Sequence, residues 1–167
     1  MSGTTMTSPV EFAASLEECY RRIGERSMRD LPIYNEALAV EAIGFGTRSA
    51  TIAGILITPW FMNVILLPLD GSLASQRPGS SFSHVFPVGA IDFNVADIDG
   101  IGRIASCSLF SPMFEFSAMD VARATAEAAI AEILTPPVDR GDQSSGWVAK
   151  TVDRRSFLRG ELTEPRP

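Results

Sequence analysis

Ala50-Thr51-Ile52-Ala53-Gly54-Ile55-Leu56-Ile57-Thr58-Pro59-Trp60-Phe61-Met62-Asn63-Val64-Ile65-Leu66-Leu67 is the stretch whose reading decides the fold. It holds two β-branched runs of strand length, Ala50 to Thr58 and Phe61 to Leu67, separated by Pro59. The same proline, with Asn63 after it, argues against a membrane-crossing helix and so against stable membrane insertion. Asn63-Val64-Ile65-Leu66-Leu67 does not alternate, so both its faces must be covered and the strand belongs at a sheet's centre. Trp60, Phe61 and Met62 are three large apolar side chains in succession. A strand cannot send all three into one core, so at least one is expected to face outward or an adjoining layer.

Outward from this stretch, Leu38 to Phe45 reads as a preceding strand, with Gly46-Thr47-Arg48 as the break after it. Asp70 to Ser81 reads as a loop. Phe82 to Phe86, Ala90 to Ile98 and Ile101 to Leu109 form a second strand group, the last two joined at Asp99-Gly100, a pair suited to a tight hairpin. Ile91, Phe93 and Val95 alternate with Asp92, Asn94 and Ala96, giving one apolar and one partly wet face and an antiparallel sheet. Ser8, Pro9 and Glu11 supply an N-cap, a proline at the first helical position and an acid at the third. Phe12, Leu16, Cys19, Tyr20 and Ile23 then make one helical stripe, which Gly24 is expected to end in a left-handed turn. Ser117 is expected to cap a last helix buried through Met119, Ala122, Ala126, Ala129, Ile130 and Ile133, and Thr135-Pro136-Pro137 ends it. The expected class is α+β: a single domain over residues 8–137, with a mostly antiparallel sheet of about six strands flanked by an N-terminal and a C-terminal helix. Residues 138–167 lack apolar periodicity and read as a disordered tail.

The 167 residues are 46% apolar and 20% charged, enough for one domain with a real core. Fourteen basic against twenty acidic residues leave a net charge of −6, which disfavours a nucleic-acid partner and an anionic bilayer and favours a basic one. The charge is unevenly placed. Residues 1–134 hold eight arginines and fifteen carboxylates, a balance of −7, whereas residues 135–167 carry +1. One histidine and two cysteines cannot build a Cys/His zinc or iron–sulfur site, so no metal and no cofactor is expected. Two lone cysteines and the absence of an n-region and h-region in the first 15 residues predict a reduced, cytoplasmic protein.

Several local patterns have ordinary explanations. Asp92, Asn94, Asp97, Asp99 and Gly100 suggest a calcium loop, but the register puts Val95 at the first ligand position and supplies no glutamate at the twelfth. His84 beside Ser81 and Ser83 allows a competing reading, a small-molecule hydrolase or lyase using His84 with Asp92 or Asp97, yet no nucleophile elbow accompanies either serine. Cys107 in an apolar strand, with no cation adjacent, reads as an inert buried thiol. Phe110-Ser111-Pro112-Met113-Phe114-Glu115-Phe116 is a second aromatic and methionine cluster, placed in an expected loop. Near the end of the chain Thr151-Val152-Asp153-Arg154-Arg155-Ser156-Phe157-Leu158-Arg159 carries R-R-x-F-L and a basic residue. It resembles the core of a twin-arginine export signal at the wrong end to act as one.

The Gly54-to-Asn63 block containing TPWFMN, the block from Phe86-Pro87-Val88-Gly89 to Ser111-Pro112-Met113, and the C-terminal R-R-x-F-L-R element together resemble the HybE/HupJ family of nickel-iron hydrogenase assembly chaperones, over about residues 10–160. The resemblance implies a non-enzymatic cytoplasmic protein that handles a hydrogenase precursor before export, notably the small subunit with its twin-arginine signal, with the large subunit as the alternative partner. Some relatives are joined to a rubredoxin, and this chain lacks the CxxC pairs of one. The resemblance supplies no catalytic residue. From the residues themselves, Trp60, Phe61, Met62, Met113, Phe114 and Phe116 are expected to form the apolar part of a client site, with Asp92, Asp97, Asp99 and Glu115 as its acidic rim. Replacing Met113 and Phe114 by serine is then expected to weaken binding and leave the thermal midpoint nearly unchanged. Arg154, Arg155, Phe157, Leu158 and Arg159 are expected to act as a built-in competitor for the same groove.

Overall fold

The computed structural model describes residues 8–136, so the expected tail and its competitor segment lie outside the described residues. Six strands form one antiparallel sheet: β1 (Glu41–Arg48), β2 (Thr51–Thr58), β3 (Phe61–Pro68), β4 (Ser81–Phe86), β5 (Gly89–Ile98) and β6 (Gly102–Phe110), in the order β1-β2-β3-β6-β5-β4. Helix α1 (Pro9–Ile23) packs on one face over β1 and β2, and α2 (Met119–Ile133) packs on the other face over the same two strands. The α+β class, the strand count and the two flanking helices are therefore as the sequence predicts.

The non-alternating run is central because both its faces meet a core. On the α2 face Met62, Val64 and Leu66 join Ile55, Ile57, Phe93, Phe110, Met113, Ala122 and Ala126. On the α1 face Ile65 joins Phe12, Leu16, Tyr20, Ile52, Leu56 and Trp60. The three consecutive bulky residues thus divide between layers, with Trp60 and Phe61 on the α1 side and Met62 on the α2 side. Trp60 stacks on Tyr34 with ring centroids 6.1 Å apart, and Phe61 sets its edge against Tyr20 at 5.6 Å.

Several local expectations are corrected. Ser8 does cap α1, its hydroxyl accepting from the Glu11 amide at 3.3 Å. Gly24, however, is right-handed at φ −60°, and the chain continues through a π-turn, Gly24–Met28. A Cβ on Gly24 would lie 3.3 Å from the Trp60 ring, so glycine here permits close approach and not a reversal. Gly46-Thr47-Arg48 belongs to β1, and the turn falls at Ser49 and Ala50, both at positive φ (50° and 60°). Such a turn matches the right-handed twist of a hairpin but carries none of the usual Asn-Gly chemistry. The residue before α2 is Ala118, without a side-chain cap, so Ser117 does not serve there. Gly54 lies directly under the Phe45 ring, which occupies the space a Cβ would take.

Candidate functional site

The two faces of the sheet differ most clearly when paired residues are followed across it. On the α2 face Ala53, Leu66, Ala105 and Val95 pair in sequence across β2, β3, β6 and β5, and all four are buried. The neighbouring row on the α1 face runs Gly54, Ile65, Ser106, Asn94 and Ser81, from β2 to β4. Gly54 and Ile65 are buried, Ser106 is half-buried, and Asn94 and Ser81 are exposed. The α1-side core reaches Ile104 of β6 but not Ser106, so among the described residues the Ser106–Ser108 end of β6 and the facing parts of β5 and β4 are left open on this face. The floor of this open part is polar: Ser106 and Ser108 from β6, Asp92 and Asn94 from β5, Ser81 and Ser83 from β4.

Phe61 bounds the open half-face on the α1 side and stays half-buried against Tyr20 and Trp60. Asn63 lies next to it, paired with Ser108, and its Oδ1 is buried without a hydrogen-bond partner among the described residues. Across the floor Ser83 donates its hydroxyl to Asp92 Oδ1 at 2.5 Å, the cross-strand pair at the centre of the β4–β5 hairpin. Burial pushes the Tyr20 phenol up to about 12, so the aromatic wall is neutral through the physiological range.

The candidate contact residues do not converge on one groove. Trp60 is 7% exposed, Phe116 5%, and Met62 and Met113 0%, so these four belong to the core and not to a contact surface. The physical reason is that the sheet has two cores: strand alternation that looked unsatisfiable with one layer is satisfied by two. Met113 is also held from behind, because Asn35 Nδ2 donates to the carbonyls of Met113 (2.9 Å) and Phe116 (2.8 Å). The expectation that Met113 can be replaced without loss of stability is therefore withdrawn. Phe114, between them, is 59% exposed, and Glu115 is exposed beside it. Asp97 and Asp99 are exposed but lie at the other end of β6, whose nine residues span roughly 30 Å. They cannot form one rim with Phe114 and Glu115.

The competing hydrolase or lyase reading also fails on geometry. His84 pairs with Ile91 and turns its ring to the α2 face, 4.9 Å from Phe86, whereas Asp92 points to the opposite face. Asp97 lies six residues further along β5, roughly 20 Å from the position opposite His84. Half-burial alone pushes the His84 imidazole below its ordinary range. No group of three metal-ligating side chains occurs among the described residues, and no described helix is long and apolar enough to cross a membrane.

Sequence reading overlooked Val85, 75% exposed on edge strand β4, and the open backbone beside it. The signal was present in Ser81-Phe82-Ser83-His84-Val85-Phe86, where bulky aromatics alternate with small residues and no carboxylate, lysine, arginine or proline occurs.

The sheet is thus covered over most of one face and only in part on the other, where a polar floor meets an aromatic wall. Comparison with known proteins gives the family. The family model described as NiFe-hydrogenase assembly, chaperone, HybE matches residues 11–160. The hydrogenase expression/formation protein HupJ of Bradyrhizobium diazoefficiens is 55% identical over 158 residues, covering 94% of this chain and 92% of that protein. The hydrogenase-2 operon protein HybE of Escherichia coli is 28% identical, covering 90% and 92%. The solution structure of HybE from Escherichia coli superposes with a TM-score of 0.59 at 26% identity, over 85% of this chain and 86% of that one. The chain belongs to the HybE family of nickel-iron hydrogenase assembly chaperones, and its role is not enzymatic.

Proposed function

We propose that the protein receives a nickel-iron hydrogenase precursor in the cytoplasm, the small subunit with its twin-arginine signal still attached, before export. The observation that carries this reading is the open half-face: an exposed carboxylate, Asp92, set among hydroxyl and amide groups and facing the aromatic wall that ends at Phe61. A signal segment is basic and then apolar. The first term is met by Asp92 and by a body whose balance is −7 over residues 1–134, the second by Phe61 and by Phe114 at the same end of the sheet. Trp60, Met62, Met113 and Phe116 serve from beneath by fixing the shape of this surface. Residues 154–159 carry the client's own type of pattern and compete for the same surface when no precursor is present.

The test is affinity purification of the full chain from the native cytoplasm, with mass spectrometry of the bound hydrogenase subunit. The reading requires small subunit that retains its signal. Recovery of only mature small subunit, or of the large subunit alone, overturns it.

A further inference from the structure

The sheet has two edges, and they are treated differently. At β1 the outward Ala42 amide donates to Glu17 Oε2 of α1 at 2.8 Å, Glu41 and Arg48 place charges on the strand, and a register shift between Ile43 and Gly46 breaks its line. These are the usual protections of an edge against added strands. The other edge, β4, has none of them. Its six residues pair with β5 in unbroken register, and no described strand lies beyond it.

The direction of its backbone groups follows from that register. Phe86 and Gly89 close a two-residue turn and the Val95 amide donates to the Ser80 carbonyl, so Ser80, Phe82, His84 and Phe86 turn their hydrogen-bonding groups inward. Ser81, Ser83 and Val85 therefore present their amides and carbonyls to the open side, at every second residue. Their side chains lie on the open half-face, next to Asp92.

We propose that this edge takes up an extended peptide segment as a seventh strand, and that the segment carries an arginine followed two residues later by a bulky apolar side chain. The proposal rests on the function proposed above and specifies how the client is held. The choice of occupant comes from side-chain reach. Two strand spacings of about 4.8 Å place the new backbone roughly 10 Å from that of Asp92, a gap that an arginine and the aspartate bridge together. Ser83 between them is too small to block the path, and it already orients the carboxylate through Oδ1. Val85, two residues on, faces the same side and supplies the apolar contact. Arginine opposite Ser83 and an apolar residue opposite Val85 share one face of an extended strand because its side chains repeat every second residue. That order runs the added strand in the direction of β4. Main-chain bonds then supply affinity, and the arginine and apolar side chain supply selection.

The experiment measures binding of the full chain to a labelled synthetic peptide, Asp-Arg-Arg-Ser-Phe-Leu-Arg, by fluorescence anisotropy. Two further peptides carry a single backbone N-methyl group, one at Ser and one at Phe, so that one modified amide points at β4 and the other away. The edge mode requires one of them to lose at least tenfold in affinity and the other to bind as the parent does. Val85→Pro, which removes an outward amide at a position where an edge strand tolerates proline, should also lose at least tenfold. If that variant fails to fold, the N-methyl pair decides alone. Equal behaviour of the two N-methyl peptides overturns the edge mode and leaves the function standing, whereas a parent peptide that does not bind overturns both. A dimer abolished by Val85→Pro, with peptide affinity unchanged, gives the edge to a second copy of the chain and also overturns the proposal.

Discussion

Met113 and Phe114 are adjacent in the chain, both large and apolar, and the structure assigns them opposite fates, so replacing each with alanine separates packing from surface. Met113 is fully buried in the α2-side core. Truncating a buried methionine costs about 2–5 kcal/mol through lost transfer energy and the cavity left behind. With about 3 kcal/mol, and roughly 4 °C per kcal/mol for a domain of this size, Met113→Ala should lower the thermal midpoint by about 12 °C. In urea, with a slope of about 2 kcal/mol/M, the midpoint should fall by about 1.5 M. Phe114 is 59% exposed, so only some four-tenths of its burial is at stake. A fully buried phenylalanine side chain contributes about 1.5–3 kcal/mol, which makes Phe114→Ala worth at most about 1 kcal/mol, or roughly 4 °C. Circular dichroism melts and urea titrations of the two variants suffice. Equal midpoints, or a larger loss at Phe114, would refute the inside–outside assignment of this loop. If the loop forms part of the client surface, Phe114→Ala should in addition weaken precursor binding while the fold stays intact.

Asn35→Ala should destabilise by about 1–3 kcal/mol, because it removes the amide that two carbonyls of the 113–116 loop accept from. A melt within 2 °C of the parent would show that the loop holds itself. Tyr20 has a folded pKa of about 12 against roughly 10 when unfolded, so unfolding releases its proton above pH 10 and stability falls between pH 10 and 12. Tyr20→Phe should remove this part of the alkaline loss, up to roughly 2 kcal/mol by pH 12, and pH-dependent urea titrations with identical slopes for both proteins would contradict the burial of the phenol. Signal-peptide binding should weaken modestly with salt, each exposed pair being worth roughly 0.2–1 kcal/mol, and affinity indifferent to ionic strength would point to a wholly apolar contact. Deleting residues 150–167 should tighten signal-peptide binding if Arg154, Arg155, Phe157 and Leu158 compete for the site, and an unchanged dissociation constant removes the competitor.

What the chain declares about itself is local. Ser8-Pro9-Val10-Glu11 marks a helix start because capping satisfies amides within one turn, and the alternation of Ile91, Phe93 and Val95 with Asp92 and Asn94 marks a half-buried strand because the pleat alternates. Both features stand in the structure at those positions. The unbroken run at Val64 and Ile65 likewise announces a strand covered on both sides. It does not say by what, and that was the decisive gap. Once helices lie on both faces, Trp60 and Met62 are both interior, and Met113 and Phe116 join them through a loop that Asn35 ties down from 78 residues away. Burial of such residues depends on which elements stack, a property of long-range packing that no window of sequence contains. The same holds for the site. Asp92 could be read as exposed, and its distance from Asp97 and Asp99 follows from length along β5 alone, but its position on the part of the face that α1 leaves open and its separation from Glu115 depend on how the strands are ordered. The serine, valine and aromatic pattern of β4 was visible all along, whereas its standing at the unprotected edge was not, because sequence fixes which way side chains alternate and only the assembled sheet decides which strand has no neighbour.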